Sequence, residues 1–162
     1  MQSKVKSPDL GKTQAFKATS IKFPSQHTAS YKELKVLEQL RQNSYLVKLS
    51  FSDIEFKIVE MKIFPYENKH PSRYYKRESK IRTILHPHII HVLDCNPAKD
   101  CIINGVPDTF SYMLLELGIY GNFATILLNG KFSQDETLVR TYFRQIVDGL
   151  EHLHSKGISH LN

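Results

Sequence analysis

Two charged side chains raise the first chemical question. Lys62 lies in Phe56-Lys-Ile-Val-Glu-Met-Lys-Ile-Phe, the most strand-like run of the chain, β-branched and aromatic and ended by Pro65. A period of two puts Phe56, Ile58, Glu60, Lys62 and Phe64 on one face, and Val59, Met61 and Ile63 on the other. A lysine on a largely apolar face needs an anionic partner, because an unpaired buried charge is costly. Glu78 shares a stripe with Tyr74, Ile81 and Leu85, at spacings of 4, 3 and 4, on a helix expected over 72–85. No other acid lies between Glu67 and Asp94, so a Lys62–Glu78 ion pair is predicted. Glu60 falls on the same face as Lys62 and is desolvated there unless it captures Lys62 itself.

The remaining reactive residues form weaker patterns. His86, His88 and His91 sit in a loop without an acidic or thiol neighbour, and His152 and His154 are not spaced i,i+4, so no metal site is expected. Cys95 and Cys101 match neither a disulfide scaffold nor a zinc knuckle. Lys69, Arg73, Lys76 and Arg77 form a basic run beside the helix, read as a solvated face with a phosphate or partner patch as the alternative.

These residues must be positioned by a mixed set of elements. Strands are expected around Leu34–Leu37, Tyr45–Phe51, Phe56–Phe64, Ile89–Leu93 and Phe110–Leu117, with turns at Ser52-Asp53 and Asn104-Gly105. A short helix is expected over 123–129, stopping at Gly130. Ser133 and Glu136 form a capping box that opens a helix of about 20 residues. Its apolar stripe, Leu138, Tyr142, Ile146, Leu150 and Leu153, needs a surface to pack on, and Lys156-Gly157 ends it. Five strands with one helix inserted after the third, followed by helices, indicate an α+β fold.

Composition bounds the function. The chain has 162 residues, 22 Lys+Arg against 16 Asp+Glu, and 41% hydrophobic residues, enough for a packed core. Residues 1–30 hold Lys4, Lys6, Lys12, Lys17 and Lys22 against Asp9 alone, so most of the +6 belongs to a stretch read as a disordered basic tail. The rest carries no basic stripe interleaved with aromatics, so nucleic acid is not an expected partner. With no apolar run of ~20 residues and no signal peptide, a cytoplasmic or otherwise intracellular location off the membrane is expected.

Four segments, in order and spacing, resemble the first half of a eukaryotic protein kinase domain, nearest in flavour to the serine/threonine calcium/calmodulin-dependent group. Val59-Glu-Met-Lys62 stands where kinases have Val-Ala-Ile-Lys. Glu78 followed by His86-Pro-His-Ile-Ile90 is similar to the helix-C glutamate and the run after it. Tyr112-Met-Leu-Leu-Glu-Leu-Gly118 is similar to the gatekeeper and hinge, with Leu115 as gatekeeper and Glu116 and Gly118 in the hinge. Residues 142–162, ending in His160-Leu-Asn162, resemble the long helix and the catalytic loop.

The resemblance implies a five-stranded antiparallel N-lobe with helix C over 31–116, then a hinge and the first helices of an incomplete C-lobe over 117–162. It implies ATP with Mg²⁺ as cofactor, with Lys62, Glu78, Val47, Glu60, Leu115, Glu116 and Gly118 around the nucleotide. Lys62 would meet the α- and β-phosphates. Three departures oppose turnover. The phosphate loop between the first two strands has no glycine, and Glu38, Leu40 and Asn43 fall roughly at the three positions. Glu60 replaces the alanine that packs on adenine. Asn162 stands at the catalytic aspartate, where an amide is a poor substitute for a carboxylate. The Mg²⁺-binding asparagine and the Asp-Phe-Gly segment are not among these residues. The expectation is therefore a kinase-like domain fragment without catalytic activity of its own. The alternatives are a piece of an active serine/threonine kinase, and a pseudokinase scaffold that meets another kinase or signalling protein. The exposed apolar face over 138–153 would then need a missing lobe or a partner.

Overall fold

The computed structural model describes residues 21–22, 31–103, 105–128 and 135–160. Six antiparallel strands form one sheet: β1 (Ile21–Lys22), β2 (Glu33–Arg41), β3 (Ser44–Ser50), β4 (Phe56–Phe64), β7 (Val92–Ile103) and β8 (Val106–Leu115). Their order is β1-β7-β8-β4-β3-β2. The edge strands β1 and β2 come into contact, so the sheet curls round its own apolar face. That face is filled by Tyr45, Val47, Val59, Met61, Ile63, Phe110, Tyr112 and Leu114, alternate residues of the three central strands. Each such burial contributes roughly 1.5–3 kcal/mol.

The expected five strands are present, and β1 adds a sixth. It pairs Ile21 with Ile103 and Lys22 with Ile102, which corrects the reading of 1–30 as tail throughout. The rest of that stretch, 1–20 and 23–30, lies outside the described residues. Ile89 and Ile90 fall in a turn rather than in a strand, and β7 begins at Val92. β7 carries bulges between Val92 and Asp94 and between Asn96 and Lys99, the second accommodating Pro97, whose carbonyl accepts from Ser111 Oγ.

The other face of the sheet packs on a short helical segment. A two-stranded hairpin, β5 (Tyr66–Glu67) and β6 (His70–Pro71), leads into α1 (Arg73–Glu78) and a 3₁₀ turn, Ser79–Thr83. Ser72 caps α1, its hydroxyl accepting from the Tyr75 amide. The single helix expected over 72–85 is thus six residues of α-helix followed by five of 3₁₀, and its inward set changes. Tyr75 is 4% exposed and Ile84 is buried, whereas Tyr74 is 48% and Leu85 74% exposed. Residues 75, 78, 81 and 84 follow a spacing of three, as a 3₁₀ geometry requires. Like charges at i,i+4, Arg73/Arg77 and Lys76/Lys80, together with β-branched Ile81 and Thr83, weaken a continuous α-helix. Tyr75 meets the Phe64 ring edge-on at 5.6 Å, in a cluster with Val92, Met113 and Leu115.

Beyond β8 come α2 (Phe123–Leu128) and α3 (Glu136–Ser155). Ser133 of the expected capping box lies outside the described residues; Asp135 caps α3, its Oδ1 accepting from the Leu138 amide at 3.0 Å. The far end is a Schellman motif: Ile158 N–H donates to the Leu153 carbonyl and Gly157 N–H to that of His154, with Gly157 at φ +68°. Gly149 lies against the loop after α1, and a Cβ there would meet the His88 carbonyl oxygen at 2.9 Å. Of the α3 stripe, Leu153 is buried and Tyr142 lies against Phe123 at 5.6 Å, while Leu138 and Ile146 stay exposed. An open apolar groove runs along Val147, Leu150, Glu151, His154 and Ser155.

Candidate functional site

The helix-facing side of the sheet gathers the charged residues in two rows. Leu46, Glu60 and Leu115 lie side by side across β3, β4 and β8, and Ser44, Lys62 and Met113 form the next row. Antiparallel partners share a face, so these six side chains line one surface. Lys62 Nζ donates to Glu78 Oε2 at 2.5 Å, joining β4 to α1. The expected pair therefore forms, although the helix carrying Glu78 has a different inward set. Glu78 occupies position 78 in both the 3.6 and the 3.0 phase, which is why the reading of this residue survives. The pair is about one-third accessible, with side-chain exposures of 35% and 31%.

Glu60 has other partners. It is 7% exposed, and its Oε1 accepts from Arg41 Nη2 at 2.7 Å and from Ser44 Oγ at 2.5 Å. Burial pushes its pKa up, but the hydrogen bonds from Ser44 and Arg41, with the positive charges of Arg41 and Lys62, outweigh that and hold it below the ordinary carboxylate value. The hairpin carrying Arg41 and Ser44 turns through Gln42 and Asn43, with Asn43 at φ +61°, and is bonded down to its tip: Ile63 N–H donates to the Asn43 carbonyl. Sequence reasoning offered Lys62 as the cation Glu60 would capture; Lys62 is instead paired with Glu78, and Arg41 is the counter-charge of Glu60. The sequence signal was a lone arginine in an otherwise uncharged turn, 41–44.

Val47 is corrected by the register. It pairs with Val59, is fully buried, and belongs to the core on the opposite face of the sheet; Leu46 is the residue opposite Glu60. A one-residue slip reverses the face of every side chain in a strand. The alternation of buried Tyr45, Val47 and Leu49 already marked that face. Counting back from Leu46 in Gly-x-Gly-x-x-Gly-x-Val moves the three glycine positions to Gln39, Arg41 and Ser44 rather than Glu38, Leu40 and Asn43. The two residues that hold Glu60 are thus at the second and third of them.

Leu115 is buried beside Met113 at the end of β8. Glu116 follows it and exchanges bonds with His91: its amide donates to the His91 carbonyl, and its Oε1 accepts from the His91 amide at 2.8 Å. Gly118 begins the next turn, its carbonyl accepting from Gly121 N–H. Asn162 lies outside the described residues.

The histidines join the loop after α1 to α3. His86 Nε2 and His88 Nε2 approach Asp148 Oδ2 at 3.4 and 3.6 Å, and the His86 ring stacks on His152 with centroids 4.7 Å apart. Among the described residues no three His, Cys, Asp or Glu side chains gather as metal ligands. Burial, then Asp108 and Asp100, push the Cys101 thiol up to about 12, so it is a core group and not a nucleophile. Burial and its bonds to Tyr31 and Asp94 likewise raise the Tyr112 phenol. No helix among the described residues is long and apolar enough to cross a membrane.

Comparison with known proteins agrees with this arrangement. The protein kinase domain family model matches residues 47–162. Mitogen-activated protein kinase kinase kinase 18 of Arabidopsis thaliana is 37% identical over 94 residues, covering 56% of this chain and 27% of that protein. CBL-interacting protein kinase 26 of Oryza sativa subsp. japonica is 33% identical over 86 residues, covering 52% of this chain and 15% of that protein. CBL-interacting serine/threonine-protein kinase 8 of Arabidopsis thaliana is 32% identical over 87 residues, covering 52% and 17%. The chain therefore spans about a quarter or less of the length of these relatives. No solved structure gives a significant match. With the family model covering most of the chain, and with the strand-borne lysine and helix-borne glutamate paired, the chain belongs to the protein kinase domain family.

Proposed function

We propose that this kinase-family domain does not carry out phosphoryl transfer with these residues and acts as a pseudokinase-type binding module. The observation that carries the reading is the Arg41–Ser44–Glu60 cluster. ATP and Mg²⁺ are the family's general cofactors, and a nucleotide in the family pose requires a small residue under the adenine and backbone amides free to approach phosphate. Here the position under the adenine is a buried carboxylate, and the second and third glycine positions are an arginine and a serine bonded to it. These residues do not fit the nucleotide. Lys62 and Glu78 remain as a structural tie between sheet and helix.

The reading as part of an active ATP-dependent serine/threonine kinase has one observation in its favour, the formed Lys62–Glu78 pair. Calorimetric titration of the chain with Mg-ATP separates the two. The pseudokinase reading expects no heat of binding at millimolar nucleotide. Saturable binding that Lys62→Ala abolishes would overturn it.

A further inference from the structure

The outer surface of the helical segment is a concentrated patch of positive charge. Lys69, Arg73, Lys76, Arg77, Lys80 and Arg82 are all exposed. The one acid between them, Glu78, is turned inward and held by Lys62. Among the described residues none of the six cations forms an ion pair with a carboxylate. Arg73 and Arg77 flank Tyr74, with guanidinium carbons 5.1 and 5.7 Å from the ring centroid, and Arg73 Nη2 donates to the Tyr74 hydroxyl at 3.2 Å. The six residues of α1 and the five of the 3₁₀ turn extend the patch over roughly 19 Å.

Five of the six charges sit on the helical segment itself, Lys69 lying in the preceding hairpin turn, and the i,i+4 pairs Arg73/Arg77 and Lys76/Lys80 oppose helix formation. A counter-charge from outside relieves that cost. We infer that this face docks an Asp/Glu-rich segment of a protein partner. The inference rests on the reading of the chain as a binding module, and supplies the chemistry of what it binds.

Three features favour a protein over other polyanions. Arginine and tyrosine are the residue types that dominate protein interfaces, and here they are already preorganised against one another. Single-stranded nucleic acid needs aromatic faces on which bases stack, whereas the Tyr74 ring is flanked by Arg73 and Arg77. An anionic bilayer needs a helix with an apolar face to insert. Here Tyr75 and Ile84 are buried in the fold, and the exposed Tyr74 and Leu85 stand at opposite ends of the segment and form no continuous apolar face.

The test is fluorescence anisotropy on the full chain without nucleotide, using a labelled poly-glutamate peptide of about 12 residues. Binding should be salt-sensitive, and Arg73→Glu with Arg77→Glu should weaken it roughly tenfold or more. Lys4→Glu with Lys6→Glu should leave it within about twofold, because those lysines lie far from the patch in sequence and only add net charge. Should the arginine pair unfold the chain by circular dichroism, Lys76→Gln with Lys80→Gln should give a severalfold loss instead. Absence of peptide binding, equal losses from the two sets of variants, or tighter binding of a thymidine 12-mer or of phosphatidylserine vesicles would overturn the inference. None of these outcomes depends on Mg-ATP. Failure here would therefore leave the reading of the nucleotide pocket in place, and ATP binding would leave the patch in place.

Discussion

Two ion pairs stand on the same face of the same sheet and differ in what surrounds them. Lys62–Glu78 joins strand to helix at the sheet's edge of accessibility, with both side chains about one-third exposed. Arg41–Glu60 joins a hairpin to the strand beneath it, with a side-chain exposure of 67% for the arginine against 9% for the glutamate. The first pair is symmetric and wet, so removing either member leaves the other free to hydrate. The second is lopsided: its cation is in water and its anion is not. The comparison leads us to expect that the exposed Lys62–Glu78 pair contributes less to stability than Arg41–Glu60, whose anion is buried.

Stability measurements should separate the two. Arg41→Ala strips the counter-charge from a buried carboxylate that retains only Ser44 as a bonded partner, and should destabilise the chain by about 1–2 kcal/mol after discounting the arginine's exposure. Lys62→Ala should cost less, about 0.2–1 kcal/mol, because Glu78 turns to water. Urea denaturation of both variants checks the order, and a larger loss from Lys62→Ala would break the comparison.

Acid sharpens it. Glu60 has its pKa held below the ordinary 4.5, so the unfolded chain binds its proton first as pH falls. Its contribution to stability is therefore present in full above about 4.5 and is lost as pH falls through the lower folded value. Glu60→Gln should flatten that part of the stability–pH curve, and an unchanged slope would show that Glu60 does not titrate as a paired carboxylate. The smallest effect should come from Tyr74→Phe, which removes one exposed hydrogen bond and should leave the urea midpoint essentially unchanged. A large loss would mean that the outer face of α1 is structural.

How far the sequence could be read follows from which signals are local. The strands were legible because their apolar residues alternate over long runs, and the Lys62–Glu78 pair because Lys62 follows the alternation of its strand and Glu78 survives a change of helical phase. Tyr74 and Leu85 were misplaced because a 3.6-residue period was assumed where like charges and β-branched residues favour a tighter turn. Val47 was placed on the wrong face because a family position outweighed the alternation of Tyr45, Val47 and Leu49. Ile21–Lys22 was missed because a two-residue strand has no period at all, and depends on a partner 80 residues away. The bond from Arg41 to Glu60 depends on the hairpin's register, which the turn at Gln42-Asn43 sets and composition does not report.

The most direct test of the account is to remove the carboxylate and ask for the nucleotide. Glu60→Ala restores the small residue found in the family and releases Arg41 and Ser44. A ligand at a hundred times its dissociation constant adds about 2.7 kcal/mol of stability, a thermal shift of several degrees. The account predicts no shift for the unaltered chain in millimolar Mg-ATP, and a shift for Glu60→Ala that Lys62→Ala abolishes. An equal shift in the unaltered chain and in Glu60→Ala would contradict it.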